Sequence, residues 1–123
     1  MSGTAAAEFD LTATTGGQSL GNTIVSRPGS VGFGTRTLDS QNTSGTNALT
    51  GVIALDAPLT IKQSAGGSLN LTGSFLDVKQ QTLTVDAAGS VDVSKPLNSS
   101  FGAGGVLIKQ GAGTLTLSNA SNN

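Results

Sequence analysis

The side chains that could do chemistry in this chain are a few carboxylates and cations. His and Cys are absent, which removes the commonest acid–base, nucleophilic and zinc-binding groups. Polysaccharide lyases and hydrolases use clustered acids beside Lys or Arg, and the candidates here are Asp77, Asp86, Asp92, Lys79, Lys95 and Arg36. No two of these acids occupy equivalent positions in the repeat described below. The sequence therefore predicts no acid pair, no catalytic residue and no enzyme.

Metal and cofactor sites are also not expected from the sequence. A calcium site needs several oxygen ligands that converge, and no GGxGxD-type repeat is present. The glycine cluster at residues 102–105 lacks the Lys-Ser/Thr pair of a phosphate-binding loop. We predict neither a metal site nor a cofactor.

Composition narrows the function classes further. A chain of 123 residues suggests one domain, and a net charge of -1 with 11% charged residues argues against a nucleic-acid binder. No stretch approaches the roughly 18 apolar residues of a membrane span. The first ten residues lack the basic and apolar regions of a secretory signal. Abundant Gly, Thr, Ser and Asn favours short strands joined by tight turns over helices.

Short apolar patterns recur along the chain with a period of about 23 residues. The first series is GSLNL (67–71), GSVDV (89–93) and GTLTL (113–117), the second LTI (59–61), LTV (83–85) and VLI (106–108), and the third IAL (53–55), LDV (76–78) and SSF (99–101). Successive copies begin 22 to 24 residues apart in all three series. Such a shared period indicates a repeat protein.

Each pattern alternates apolar and polar residues, as a strand with one buried face does. Gly67, Gly89 and Gly113 stand where sharp turns must separate successive strands. A unit of three short strands cannot bury its apolar face alone, but stacked units about 4.8 Å apart share a core. The period therefore predicts an all-β, single-stranded parallel β-helix (β-solenoid). An antiparallel sandwich would explain the strands and turns but not the period.

Stacking predicts four inward ladders of aliphatic side chains. They are Leu59–Leu83–Val106, Ile61–Val85–Ile108, Leu69–Val91–Leu115 and Leu71–Val93–Leu117. Each such buried side chain contributes about 1.5–3 kcal/mol. Outside the core, the alternating charges of Lys62, Asp86 and Lys109 would place opposite signs on neighbouring turns, and we use them as a clue to register.

The first part of the chain does not show the period. We therefore expect residues 1–45 to form an irregular region that caps the solenoid, and residues 46–123 to form about three turns. A cap would protect the open strand edge at that end.

The segment GGVLIKQGAGTLTLSNASNN resembles the autotransporter-associated β-strand repeat, with consensus G-x-L-x-K-x-G-x-G-x-L-x-L-S-x-x-N. The matching positions are Gly105, Leu107, Lys109, Gly111, Gly113, Leu115, Leu117, Ser118 and Asn122 or Asn123. The resemblance covers about 20 residues and weakens in residues 61–74. It implies a right-handed parallel β-helix in a secreted bacterial surface protein, where the repeat forms a stalk and assists passage across the outer membrane. It implies no catalytic residue.

These observations predict a non-enzymatic structural solenoid, located outside the cell or on the bacterial surface, as an autotransporter-like stalk or adhesin scaffold. The alternative is a subunit that stacks end to end into a filament through the edge formed by Thr114, Leu115, Thr116 and Leu117. The expected partners are further repeats of a longer chain or a second copy. Host or matrix glycans, or an ice-like lattice on a polar face, are less favoured.

Overall fold

A computed structural model describes residues 7–28, 36–99 and 104–119, and every regular element in them is a β-strand. The strands are β1 Ala7–Leu11, β2 Ser19–Leu20, β3 Ile24–Ser26, β4 Arg36–Ser40, β5 Thr46–Leu49, β6 Ile53–Leu55, β7 Leu59–Gln63, β8 Ser68–Leu71, β9 Leu76–Asp77, β10 Thr82–Ala87, β11 Ser90–Val93, β12 Leu97–Asn98, β13 Val106–Gln110 and β14 Thr114–Leu117. The described residues contain no helix that could cross a membrane.

The strands form three parallel sheets stacked as a β-solenoid, with about 24 residues per turn. Sheet 1 has the order β1-β4-β7-β10-β13, sheet 2 the order β2-β5-β8-β11-β14, and sheet 3 the order β3-β6-β9-β12. Each turn of chain contributes one strand to each sheet and then returns to sheet 1. The parallel β-solenoid predicted from the 23-residue period is confirmed.

The corners between sheets differ in length. Three or four residues separate a strand of sheet 2 from the next strand of sheet 3, whereas three to nine separate a strand of sheet 3 from the next strand of sheet 1. The corner from sheet 2 to sheet 3 is therefore nearly constant, and the corner that returns to sheet 1 is variable.

The core consists of aliphatic side chains stacked from turn to turn, as the alternation predicts. In sheet 2, Leu69 pairs with Val91 and Val91 with Leu115, while the neighbouring ladder joins Leu71, Val93 and Leu117. In sheet 1, the Leu59–Leu83 and Ile61–Val85 pairs also form. Of these ten residues, all but Leu115 and Leu117, which belong to the last described strand, are at most 2% exposed.

The last strand of sheet 1 lies in a different register from the one predicted. Leu83 pairs with Leu107 rather than with Val106, and Val85 pairs with Lys109 rather than with Ile108. Val106 and Ile108 therefore face outward and are 47% and 39% exposed. The predicted register aligned the most apolar residues and was therefore displaced by one residue. A displacement of one residue exchanges the two faces of a strand.

The corner between β13 and β14 explains this register. Val91 lies eight positions after Leu83, and Leu115 also lies eight positions after Leu107. Equal spacing keeps both ladders in phase through the corner. It also removes Lys109 from the predicted column of alternating charges, which in the structure contains Asp39, Lys62, Asp86 and Gln110.

The third sheet also departs from the predicted series at its last copy. Ile53 pairs with Leu76 as the period predicts, but Leu76 then pairs with Leu97, not with a residue of the SSF segment. Ser99 follows β12, and Phe101 lies outside the described residues. A tight corner after β11 brings Leu97 inward first, where it is 8% exposed.

Residues 7–28 and 36–45 are the described part of the segment predicted to be an irregular cap, and they contain strands of the solenoid. Strands β1 to β4 lie in the same three sheets as the later strands, and Phe9, Leu38 and Ile61 form one continuous column. Phe9 and Leu38 are 29 residues apart, whereas Leu38 and Ile61 are 23 apart. The longer first turn explains why this period is not visible in the sequence.

The predicted turn glycines are required by close approach of stacked backbones rather than by an unusual backbone angle. A Cβ on Gly89 would lie 2.1 Å from the carbonyl oxygen of Gly67, and a Cβ on Gly113 would lie 1.9 Å from that of Gly89. A Cβ on Gly67 would lie 2.4 Å from the side-chain nitrogen of Asn42. These distances are too short for any side chain, so glycine is the residue that lets this corner stack.

Core and surface positions of one strand provide a direct test of the ladders. Val91→Asp places a charge between Leu69 and Leu115, and we expect it to unfold the chain, a loss of more than about 4 kcal/mol. Asp92→Asn, one residue further along and facing outward, should change the free energy of unfolding by less than about 1 kcal/mol. Urea denaturation followed by circular dichroism measures both. Equal sensitivity at the two positions would contradict the inward and outward assignment.

Candidate functional site

The acids considered for catalysis do not converge. Asp86 faces outward from sheet 1, whereas Asp92 faces outward from sheet 2. The two acids therefore belong to different columns of stacked residues. Asp77 is only 7% exposed, and its Oδ1 accepts a hydrogen bond of 3.0 Å from the backbone N–H of Lys79. Asp77 therefore has a structural role in the turn after β9. These three residues form no acid pair.

Two of the cations considered with them are buried. Lys95 is fully buried in the corner between sheets 2 and 3, where its Nζ donates a 2.5 Å hydrogen bond to the carbonyl oxygen of Gly51. Arg36 occupies an inward position of β4, opposite Ala7, and its Nε donates to the carbonyl oxygen of Arg27. Sequence alternation placed neither residue inside. Both are therefore ruled out as surface groups for a substrate.

The remaining cation of this group, Lys79, belongs to an ion network at the corner from sheet 3 to sheet 1. Its Nζ pairs with Asp56 Oδ1, and Asp56 Oδ2 lies 4.0 Å from Arg27 Nε. Three successive turns are joined in this way. Because the Asp56 and Arg27 side chains are well exposed, their pair contributes at most about 1 kcal/mol.

A buried polar cluster replaces aliphatic side chains at the corner between sheets 1 and 2. Ser40 Oγ donates to Asn42 Oδ1 at 2.8 Å, Asn47 Nδ2 donates to Ser40 Oγ at 3.0 Å, and Gln63 Nε2 donates to the Asn42 carbonyl oxygen at 3.0 Å. All four residues have no exposed surface. Their hydrogen bonds offset the cost of burying polar groups, and the cluster has a packing role. Residues 40–47 are polar and resemble a surface loop in sequence. The buried cluster is therefore not apparent from the sequence.

The edge formed by β13 and β14 is the region that sequence analysis proposed for assembly. In the described part of the chain, each of these strands has a neighbour on one side only. Leu117 occupies an inward position opposite Val93 and yet is 43% exposed. Together with the outward-facing Val106 and Ile108, it gives this end of the solenoid an apolar surface.

The opposite end contains an apolar cavity and a carboxylate cluster. The cavity has a volume of about 320 Å³ and opens beside β1, with a lining of Phe9, Leu20, Asn22, Thr23, Ile24, Val25 and Leu38. The lining residues that the structure describes are all uncharged. On the outer face of sheet 1, Glu8, Asp10 and Asp39 each place one carboxylate oxygen within 4.8 Å of the others. This cluster is not apparent from the sequence, because the 29-residue spacing of Phe9 and Leu38 conceals the pairing of β1 with β4.

No protein-family model matches the chain, and no curated protein or solved structure matches it either.

The buried Lys95 provides a test of the corner through the pH dependence of stability. Burial lowers the pKa of Lys95 from 10.5 to about 8. Below about pH 8 the ammonium is charged in both states and its burial opposes folding. As the pH rises from about 8 towards 10.5, the folded state releases its proton first, so this cost disappears.

We expect the free energy of unfolding of the native protein to rise by about 2–3 kcal/mol between pH 7 and pH 10, relative to Lys95→Met. Urea titrations of both proteins at the two pH values measure this difference. Lys62→Met is the control, because it removes an outward-facing lysine from sheet 1 and keeps Lys95. Its free energy of unfolding should differ from that of the native protein by the same amount at both pH values. A pH-independent difference for Lys95→Met would show that Lys95 is hydrated in solution.

Proposed function

We propose that the chain is a non-enzymatic structural β-solenoid of a bacterial extracellular or cell-surface protein, where it serves as a stalk or adhesin scaffold. The observation that carries this proposal is the filled interior. In the described turns, the inward positions of all three sheets stack on equivalent positions of the next turn, and the titratable side chains considered for catalysis are separated or buried. Such an arrangement supports a role in which the stacked turns extend the molecule along one axis.

The extracellular location rests on the resemblance of the C-terminal strands to the autotransporter-associated repeat. The register of β13 supports that resemblance. Two of the apolar consensus positions, Leu107 and Leu115, occupy inward ladder positions. In this proposal, further repeats of a longer chain cover the exposed edge of β13 and β14.

Surface exposure and inactivity are both measurable. Antibodies against the chain should label intact cells of the source organism, and the purified chain should leave a panel of bacterial and host polysaccharides uncleaved. A cytoplasmic protein of the same cells serves as the control for cell integrity. Labelling that requires permeabilised cells would contradict the location, and cleavage of a polysaccharide would contradict the structural role.

Self-assembly into a filament is the second candidate. It is favoured by the exposed apolar side chains of the last described turn, Val106, Ile108 and Leu117, beside unpaired strand edges. An edge of this kind recruits another strand. If β13 and β14 of one molecule stack on β1 and β2 of the next, the contact joins different surfaces of the two copies and does not close. Such a contact produces fibres rather than dimers.

Two adjacent substitutions separate assembly from a stable single chain. Leu117→Asn removes an apolar side chain from the exposed inward position and should abolish filaments, while Thr116→Asn, which faces outward on the same strand, should leave them intact. Electron microscopy and light scattering of the purified proteins provide the measurement. A native protein that remains a monodisperse monomer at high concentration would rule out the filament.

A further inference from the structure

The carboxylate cluster on the outer face of sheet 1 contains one acid that is almost completely buried. Asp39 is only 5% exposed, although it lies on the outward side of β4. Among the described residues, its buried Oδ1 has no hydrogen-bond partner, and its Oδ2 receives a single long contact of 3.4 Å from Gln41 Nε2. An ionised oxygen that is buried without a donor is costly to the folded state.

The neighbouring groups add to this cost. Asp10 pairs directly with Asp39 across the two strands, and Glu8 brings a third carboxylate oxygen within 4.8 Å. Like charges directly opposite one another on neighbouring strands are destabilising. Lys62 follows Asp39 in the same column, but the ion pairs within 4.0 Å in the described part of the chain join other residues.

The geometry points to a binding site for one divalent cation of the calcium class, held by Glu8, Asp10 and Asp39. Calcium binds oxygen ligands at 2.3–2.6 Å, so two oxygens on opposite sides of the ion are up to about 5 Å apart. The 4.8 Å limit among the three carboxylate oxygens fits that sphere. All three ligands are hard oxygens, and water completes the coordination. The buried Asp39 carboxylate then gains a cation as its partner.

Binding at this position has a structural consequence. Glu8 and Asp10 belong to β1, whereas Asp39 belongs to β4. The ion therefore holds the first strand of sheet 1 on the second. We expect it to stabilise the N-terminal turn of the solenoid, where Phe9 of β1 lines the apolar cavity and is 40% exposed.

Calorimetric titration of the purified chain with CaCl2 tests the site. We expect one ion per chain with a dissociation constant on the order of 0.1–1 mM, since only three protein ligands contribute. The melting temperature should rise by about 3–8 °C in about 10 mM CaCl2, compared with NaCl of equal ionic strength. Absence of both heat and stabilisation beyond the NaCl control would overturn the proposal.

Matched variants locate the ion. Asp39→Asn and Asp10→Asn should each weaken binding at least about tenfold, whereas Asp86→Asn, an acid in the same column two turns from Asp39 along sheet 1, should bind as the native protein does. Asp10 is exposed, so its variant keeps the test valid if Asp39→Asn does not fold. Equal weakening by Asp86→Asn would show diffuse attraction of cations to an acidic surface and would contradict a built site.

Lys62 provides a second, opposite prediction. Because its ammonium lies on the turn next to Asp39 in the same column, it opposes a cation in the cluster. Lys62→Gln should therefore tighten calcium binding severalfold. A loss of binding in Lys62→Gln would contradict the proposed position of the ion.

Discussion

Stacking of equivalent strands in parallel and in register is the interaction on which the whole structure depends. Each strand is only two to six residues long, and the strands inside each sheet satisfy their backbone donors and acceptors through the strands of the turns before and after them. The same stacking places each inward aliphatic residue against its equivalent one turn later. Backbone pairing and core packing are thus a single geometric condition. A corner that did not return the chain in phase would break both, and the glycine column at residues 67, 89 and 113 is the part of the sequence that meets this condition most directly.

Much of the fold could be predicted because that condition imposes a period on the sequence. Leu69, Val91 and Leu115 recur at nearly equal spacing, and their alternation with polar residues identifies strands with one buried face. The register of β13 was not predicted, because Val106 and Ile108 are more apolar than Leu107 and Lys109 but lie on the outer face. Local hydrophobicity indicated the wrong phase there, while the residue count through the following corner indicates the right one.

The candidate sites were much less predictable, for a related reason. The period disappears where turn length varies and where polar residues replace aliphatic ones at inward positions. Arg36, Ser40 and Asn47 all occupy inward positions of the second turn, so that turn does not read as a copy of the later ones. Without that alignment, Asp10 and Asp39 cannot be recognised as neighbours. The burial of Lys95 depends on a corner in which the carbonyl oxygen of Gly51 accepts a hydrogen bond from its ammonium group, and no pattern of alternation contains that information.

The two corners described above differ in how much their length varies. The corner between sheets 2 and 3 is nearly constant in length, whereas the corner from sheet 3 back to sheet 1 is not. Between sheets 2 and 3 the chain has three or four residues in which to turn, whereas the return to sheet 1 ranges from three to nine. A solenoid built in this way can acquire an insertion, a displayed epitope or a recognition loop at each return without altering the pairing of any strand. Every turn offers such a position on the same side of the molecule, so a row of different loops could be carried at regular spacing on one unchanging support.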